Sequence, residues 1–285
     1  ELSVLLERIG NRQNPIFALS VGMLTLWDLR YFIHLEDWRA KHQNHLAHWI
    51  AIVSEFEVLN SLAGHSFANP SHVIPQIANK DFIIHATQLG HPLIKAEKRV
   101  CNDIQIEGLG QCVIITGSNM SGKSTFLRSL GINMVLGGIG SVVCASKANI
   151  HPLPVLVSMR LSDSLSDSES YFFAEIKRLK QIMEALENQP AFVLLDEILR
   201  GTNSDDKRNG TIEVVKKVIA KKAIGAIATH DIEVCLTTNE YPDVLINQCF
   251  EVEIQNNDLH FDYVLRDGIC KNKSATFLMK KIGVI

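Results

Sequence analysis

The feature that most constrains this chain is a glycine-rich run between a predicted strand and a predicted helix. Residues 117–125 read Gly-Ser-Asn-Met-Ser-Gly-Lys-Ser-Thr and fit the phosphate-binding pattern G-x-x-x-x-G-K-[ST]. The apolar run at 112–115 predicts a buried strand before it, and residues 125–136 predict a helix after it. In such a unit, backbone N–H groups face a phosphate at the start of the helix. The sequence therefore predicts a site for a nucleoside triphosphate.

Two side chains of this run have specific expected roles. Lys123 is expected to reach the β- and γ-phosphates, and the Ser124 hydroxyl is expected to bind Mg²⁺. The predicted cofactors are therefore ATP and Mg²⁺. The predicted nucleotide-binding residues of the run are Gly117, Ser118, Asn119, Met120, Ser121, Gly122, Lys123, Ser124 and Thr125.

Polar residues follow two further predicted strands. The apolar run 192–195 is followed by Asp196, which suits the Mg²⁺ shell, and by Glu197, which suits polarising the attacking water. A strand that simply leaves the core is the alternative, but the glycine-rich run upstream favours the site. His230 follows the predicted strand 225–228 and could sense the γ-phosphate or position the water. The alternative for His230 is an ordinary loop histidine.

The sequence changes character along its length. Residues 1–62 show helical apolar spacing, with the last helix expected to end at Gly64, and residues 65–80 are interpreted as a connector. Beyond it, short apolar runs alternate with helical patterns, which predicts an α/β domain with a mostly parallel sheet. Residues 250–263 predict a hairpin and residues 274–282 a closing helix. The predicted domains are 1–66 and 67–285.

Composition limits where this protein works and what it binds. The net charge is −3, so any nucleic-acid surface must be local. The six cysteines form no C-x-x-C pair, and no signal peptide is recognisable, which favours a reduced cytoplasmic protein. The uncharged stretch 13–27 is too short to span a bilayer, so no membrane association is predicted. Because the chain begins at Glu1 rather than Met, it is expected to be a piece of a longer protein.

Several motifs, in order along residues 85–232, resemble the MutS mismatch-repair ATPases. The glycine-rich run is similar to their T-G-P-N-M-x-G-K-S-T loop, with Ser118 in place of the proline. Residues 196–202 resemble their D-E-x-x-R-G-T segment, with Leu199 in place of a glycine, and 228–230 match their A-T-H switch. Residues 162–172 are similar to their signature loop, and 90–92 to the G/R-H-P that opens their ATPase domain. Residues 1–62 resemble their lever helices more loosely.

The resemblance implies an ABC-type P-loop ATPase that works as a dimer with two ATP molecules sandwiched head to tail. The signature loop would then act in trans through Ser168 and Ser170, facing the partner's glycine-rich loop. Ser168-Glu169 replaces the usual glycine of the family's signature and its neighbour, which would add a carboxylate near the position of a phosphate. Arg99 falls where the family tends to place an aromatic that stacks on adenine, and a guanidinium can also stack.

Other residues allow competing interpretations. His42, His45 and His48 could share a metal, but a solvated helix face is favoured. Phe173-Ala174-Glu175 spells the family's Phe-x-Glu wedge, yet its position within a predicted helix favours core packing. A basic stretch could meet DNA phosphates, although a solvated helix is favoured. Its members are Lys207, Arg208, Lys216, Lys217, Lys221 and Lys222, with only Glu213 opposing them.

Two functions remain open after these observations. The first is a Mg²⁺-dependent ATPase domain of a MutS-like repair or recombination protein that dimerises through composite ATP sites to drive a DNA clamp. The second is a nucleotide-gated dimerisation module with negligible turnover, in which Glu169 has spoiled the composite site. A homodimer and DNA are the partners expected for the intact protein. DNA binding by residues 1–285 alone is expected to be weak and non-specific.

Overall fold

A computed structural model describes residues 1–10, 15–17, 20, 22–79, 82–159, 171–255 and 258–271. The chain divides into two compact units, Glu1–Gly64 and His65–Ile285.

The first unit is helical, as its apolar spacing predicts. It contains α1 (Leu2–Gly10), the short α2 (Pro15–Phe17) and most of α3 (Trp27–Ala68). The prediction that the last helix ends at Gly64 is wrong, because α3 continues through it to Ala68. A glycine inside a helix costs only about 1 kcal/mol relative to alanine, so it need not stop one. The stop comes at Asn69-Pro70: proline disfavours helical backbone before it, and Asn69 Nδ2 donates to the carbonyl of His65 at 2.9 Å.

Aromatic and polar contacts hold α1 against the start of α3. Arg8 Nη1 donates to the Tyr31 hydroxyl at 3.0 Å, and Trp27 Nε1 donates to the carbonyl of Arg8 at 2.9 Å. The rings of Trp27 and Tyr31 lie 4.6 Å apart. Tyr31 is buried, whereas the predicted apolar stripe further along α3 is exposed. The exposed stripe consists of Leu46, Trp49, Ile50, Val53, Phe56 and Leu59.

The second unit contains a four-stranded sheet in the order β1-β5-β2-β3. Its strands are β1 (Gln76–Ile77), β2 (Ile83–Leu89), β3 (Asn102–Glu107) and β5 (Lys147–Ile150). β2 is antiparallel to both β3 and β5, while β1 is parallel to β5. The interpretation of residues 65–80 as a connector is therefore incomplete, because the end of α3 and the strand β1 both lie in it.

A six-stranded sheet in the order β12-β9-β4-β8-β7-β6 forms the centre of this unit. The neighbouring pairs from β9 to β6 are parallel, and β12 is antiparallel to β9. The α/β organisation predicted from the alternating patterns is confirmed. The strands are β4 (Cys112–Gly117), β6 (Val155–Ser158), β7 (Phe192–Asp196), β8 (Ile224–Ala228), β9 (Leu245–Phe250) and β12 (Leu265–Asp267).

Helices cover both faces of the six-stranded sheet, which explains why its central strands are continuously apolar. On one face of the sheet, Leu127 and Leu130 belong to a core cluster with every second apolar residue of β4 and β7. On the other face, Ile182 and Val215 belong to a second cluster with the remaining apolar residues of these strands. α6 begins at an N-cap, Asn203, whose side chain accepts the N–H of Asp206. The helices of this unit are α4 (Lys123–Gly138), α5 (Tyr171–Asn188), α6 (Ser204–Ala220) and α7 (Ile232–Cys235).

The predicted hairpin near the C-terminal end is present but shorter than expected. β10 (Glu253–Gln255) pairs antiparallel with β11 (Asp258–His260). Phe250 belongs instead to the parallel strand β9, which the alternation at 250–254 does not reveal. The predicted closing helix at 274–282 lies outside the described residues. Within the described ranges, no helix combines the length and the apolar character that a membrane span requires.

Candidate nucleotide-binding site

The predicted site residues converge because three neighbouring strands are parallel. β4, β8 and β7 lie side by side, with Ile115 opposite Ala228 and Ala228 opposite Asp196. Parallel strands end at the same edge of a sheet, and polar groups that follow them meet there. The glycine-rich loop, the pair Asp196-Glu197 and the segment ending in His230 are thus gathered from the sequence range 117–230 into one place.

Two glycines shape the loop after β4. A Cβ atom at Gly117 would lie 2.5 Å from Ser121 Oγ and 2.8 Å from the carbonyl oxygen of Phe250, so only glycine fits. Gly122 has φ +107°, and a Cβ there would lie 3.1 Å from the ring of Tyr263. No described side chain caps α4 at Gly122, which leaves backbone N–H groups of its first turn available to an anion.

Lys123 is buried at the base of this loop, with only 5% of its side chain exposed. Its Nζ donates to the carbonyls of Gly117 at 2.7 Å and Ser118 at 2.9 Å, and lies 3.8 Å from Glu197 Oε1. Burial lowers the pKa of Lys123, while the charges of Glu197 and Asp196 act to raise it. A buried ammonium group held next to open backbone N–H groups is suited to a phosphate.

Asp196 provides a direct test of the predicted magnesium site. It is 4% exposed, and its Oδ1 is buried without a hydrogen-bond partner in the described part of the chain. An unpartnered buried carboxylate oxygen is costly, and a cation would compensate that cost. Ser124 lines the adjoining cavity, so a hydroxyl and a carboxylate oxygen, which Mg²⁺ prefers, are both present. The residues present therefore fit the ion.

Glu197 contacts basic side chains. Its Oε1 lies 3.5 Å from His230 Nδ1, and its Oε2 accepts a hydrogen bond from Arg200 Nη2 at 2.7 Å. These contacts lower the pKa of Glu197 to about 2, first through the hydrogen bond with His230 and then through the charges of Arg200 and Lys123, against the opposing effect of burial. The carboxylate is consequently ionised at neutral pH and can accept a proton or a hydrogen bond from water.

A cavity of about 550 Å³ extends from the loop past these charged groups. Its wall includes Glu197 and Arg200 together with Lys98, Val100 and Tyr263. The loop contributes residues 119–125, so the cavity is continuous with the predicted phosphate position. Its volume is in the range of small-molecule sites.

Arg99 is not among the described residues that line this cavity. Its Nη1 donates to Cys144 Sγ at 2.6 Å and to the carbonyl of His91 at 3.4 Å. The neighbours Lys98 and Val100 line the cavity, whereas Arg99 is absent from its wall. This placement argues against the predicted stacking of Arg99 on adenine. Alternation along an extended segment turns adjacent side chains in opposite directions, and the sequence does not indicate which of them faces inward.

Sequence reasoning missed Tyr263, which lines the cavity together with two other aromatic residues, Phe126 and Phe250. Asn102 holds Tyr263 in place, because Asn102 Nδ2 donates to the Tyr263 carbonyl at 3.0 Å and Oδ1 accepts the N–H of Leu265 at 2.7 Å. The ring of Phe261 stacks on it with centroids 6.1 Å apart. No local signal could have identified Tyr263, since it lies 161 residues from Asn102. Arg200, visible within the D-E-x-x-R-G-T segment, was not assigned a role either.

Two other predicted sites are the signature serines and the α3 histidines. Ser168 and Ser170 lie outside the described residues, so their role in trans stays a prediction. Among the described residues, no group of three or more His, Cys, Asp or Glu side chains could share a metal ion, which leaves the metal alternative for the α3 histidines unsupported. His42 packs instead between aromatic rings, 5.1 Å from Trp38 and 5.4 Å from Trp49.

The basic stretch on α6 is less basic than its sequence indicates. Glu213 was expected to be its only opposing charge, but the fold supplies others. Arg208 Nε pairs with Asp231 at 3.1 Å, Lys216 Nζ with Glu240 at 2.9 Å and Lys221 Nζ with Glu187 at 3.1 Å. These acids come from distant parts of the sequence, so only the tertiary structure reveals the neutralisation. It weakens the interpretation of α6 as a DNA-binding face.

The second unit is a mixed α/β domain in which a glycine-rich loop lies between a buried parallel strand and a helix, with acidic residues at the end of a neighbouring strand. Residues 113–284 match the family of MutS domain V. The chain therefore belongs to the MutS family.

Similar proteins include MutS protein homolog 4 of Homo sapiens, which is 29% identical over 232 residues, or 78% of this chain and 24% of the relative. The DNA mismatch repair protein MutS of Finegoldia magna is 31% identical over 271 residues, or 92% of this chain and 30% of the relative. The corresponding protein of Thermotoga maritima is 29% identical over 197 residues, covering 68% of this chain and 25% of the relative. The chain thus spans less than a third of the length of these relatives.

Proposed function

We propose that this chain binds ATP with Mg²⁺ and hydrolyses it, as an ABC-type P-loop domain. The observation that carries the proposal is the ionised Glu197 carboxylate, 3.8 Å from the buried Lys123 ammonium at the base of the glycine-rich loop. A general base or water-orienting group next to a phosphate-binding cation is what phosphoryl transfer to water requires.

The phosphates would be bound by the loop. Backbone N–H groups at the start of α4 and the Lys123 ammonium supply donors and positive charge. Asp196 and Ser124 would hold Mg²⁺, which supplies charge neutralisation at the transferring phosphoryl group. Tyr263 in the cavity wall is proposed to stack on the base, in the role first predicted for Arg99.

The charged cluster around Glu197 would orient the attacking water. Because the Glu197 carboxylate stays ionised, it can accept a hydrogen bond from water, and Arg200 limits the directions in which it can point. His230 is half-exposed and contacts the same carboxylate, so it is proposed to help position the water or to sense the γ-phosphate.

The finer features of the family are proposed for the intact protein. We infer composite ATP sites in a homodimer, with Ser168 and Ser170 of one subunit facing the loop of the other, and nucleotide-driven movement of a DNA clamp. The motif resemblance and the mismatch-repair relatives support this inference. The domain division at 66/67 and the cytoplasmic location remain predictions. The alternative, a nucleotide-gated dimerisation module with negligible turnover, rests on Glu169 in the signature segment.

Turnover distinguishes the two functions. Wild-type protein should hydrolyse ATP with Mg²⁺, and Glu197→Gln should lower kcat by about 10²- to 10⁴-fold while ATP still binds in calorimetry. Glu184→Gln, which changes an exposed carboxylate on α5, is the matched control and should keep wild-type activity. Absence of turnover in the wild type, with ATP bound, would refute the ATPase and favour the alternative of a nucleotide-gated module.

Self-association tests the composite site separately. ATP should raise the mass of Glu197→Gln in light scattering from 31.8 kDa toward twice that value, because the nucleotide contributes contacts to the interface. A constant mass at high protein concentration with saturating ATP would exclude the sandwich for this chain.

A further inference from the structure

Glu175 is a buried carboxylate that the proposed chemistry does not use. It lies in the second turn of α5 and is 6% exposed. Its Oε2 accepts the backbone N–H of Arg200 at 3.0 Å, and the N–H of Leu199 also bonds to this carboxylate. Burial raises the pKa of Glu175, although both backbone hydrogen bonds act to lower it. Burial of a carboxyl group carries a desolvation penalty, so a contact made by Glu175 is expected to compensate for it.

The segment that Glu175 contacts has an unfavourable backbone conformation. Glu197 has φ +47° and Leu199 has φ +60°, both in the left-handed region that non-glycine residues rarely adopt. Gly201, at φ +90°, completes the turn, and a Cβ atom there would lie 3.7 Å from Cβ of Phe172 on α5. Such backbone persists only where surrounding contacts hold it. The first two turns of α5 supply those contacts.

The same turn determines the direction of the Glu197 side chain. Arg200, whose N–H is held by Glu175, donates from Nε to the Glu197 carbonyl at 2.9 Å and from Nη2 to Glu197 Oε2 at 2.7 Å. A hydrogen-bonded path therefore runs from Glu175 through Arg200 to the proposed catalytic carboxylate. Glu175 itself does not belong to the cavity wall.

We propose that Glu175 is a positioning residue: it holds the 197–201 turn so that the Glu197 carboxylate faces the cavity in one orientation. The inference rests on the proposed ATPase function for its kinetic consequence, but not for its structural content. Misplacing a catalytic group by about 1 Å can lower a rate about a hundredfold, so the effect should appear in kcat rather than in ATP binding.

Two substitutions separate positioning from general stability. Glu175→Gln preserves the shape and one acceptor oxygen, whereas Glu175→Leu removes both acceptors. We expect kcat to fall in the order wild type, Gln, Leu, by roughly ten- to a hundredfold for Leu, with the ATP dissociation constant within about twofold of wild type. Glu184→Gln and Glu184→Leu, on the exposed side of the same helix, are the matched controls.

Amide hydrogen exchange supplies a readout that does not depend on turnover. The N–H groups of Leu199 and Arg200 should exchange faster in both Glu175 variants, measured on a peptide covering 196–202, and at the wild-type rate in the Glu184 variants. Unchanged exchange in Glu175→Leu would overturn the inference. So would faster exchange with unaltered kcat, or a joint loss of ATP affinity and thermal stability in Glu175→Gln. If wild-type protein shows no turnover, the ATPase proposal fails, and the exchange comparison still decides whether Glu175 holds the turn.

Discussion

The helix α3 buries Tyr31 and exposes its apolar stripe, whereas the strand β4 buries every one of its six residues. Both segments are rich in large apolar side chains, but only β4 has neighbours on both faces. α3 runs for 42 residues, long enough for helix propagation to outweigh the cost of nucleation without a core. A single strand has no such local stabilisation and exists only as part of its sheet.

This difference determines where chemistry can be placed. Every described residue of the candidate site lies in the 65–285 unit, where burial strengthens electrostatic contacts such as those around Glu197. Along α3, charges such as Arg39 and Glu36 are exposed and pair only across one helical turn, at 2.9 Å. Exposed pairs of this kind contribute little and shift no reactive group. The contrast between the two units leads to predictions of decreasing size.

Replacing Lys123 should have the largest effect. Lys123→Ala removes the ammonium placed for the β- and γ-phosphates, and alanine is compatible with the first turn of α4. ATP affinity should fall at least about a hundredfold, or about 3 kcal/mol or more, in calorimetry with Mg²⁺. Lys41→Ala in α3 is the control and should bind like wild type. Wild-type affinity in a folded Lys123→Ala protein would refute the phosphate-binding assignment.

The buried and exposed leucines should differ sharply in their contribution to stability. Leu194 in β7 is fully buried, and Leu194→Ala should lower the free energy of unfolding by about 3 to 4 kcal/mol. Leu59 belongs to the exposed stripe of α3, and Leu59→Ala should change the free energy of unfolding by less than about 0.5 kcal/mol. Urea denaturation followed by circular dichroism measures both. Equal effects would mean that the stripe is covered in solution.

Acid should destabilise the 65–285 unit partly through Glu197. The pKa of this group lies at about 2 in the folded protein and at the ordinary 4.5 when unfolded. A depressed pKa contributes stability that is present above pH 4.5 and is lost as the pH falls toward 2. As the pH falls from 4.5 to 2, the free energy of unfolding of the wild type should decrease by up to about 3 kcal/mol more than that of Glu197→Gln. If the free energy of unfolding changed with pH in the same way in both proteins, Glu197 would not have the contacts described above.

Removing residues 1–64 should have the smallest effect on the site. Every residue in the cavity wall belongs to the second unit. The ATP dissociation constant of residues 65–285 should therefore stay within about twofold of that of the full chain, which is a difference in binding free energy below about 0.5 kcal/mol. Calorimetry on the two proteins measures this directly. A tenfold loss would show that the helical unit supports the pocket.

Much of the site could be predicted because its signals are local. The strand, loop and α4 follow one another in sequence, and both Asp196 and Glu197 directly follow an apolar strand. Residues that reach the site from elsewhere could not be predicted in this way. Tyr263 follows the β10–β11 hairpin in the sequence. Glu175 lies in α5, a helix whose sequence indicates only core packing. That interpretation is correct for the buried Glu175 but wrong for Phe173, which is half-exposed.

The sequence alone determined the α/β organisation, the glycine-rich run between a strand and a helix, the acidic strand end and the family, because each depends on neighbours along the chain. Only the tertiary structure decided that His230 contacts Glu197, that Arg99 bonds to Cys144 and does not line the cavity, and that Glu240 pairs with Lys216 of α6. These facts depend on strand order and register, which join residues far apart in sequence. A periodic pattern specifies which face of an element is buried, but not which charge will lie opposite another.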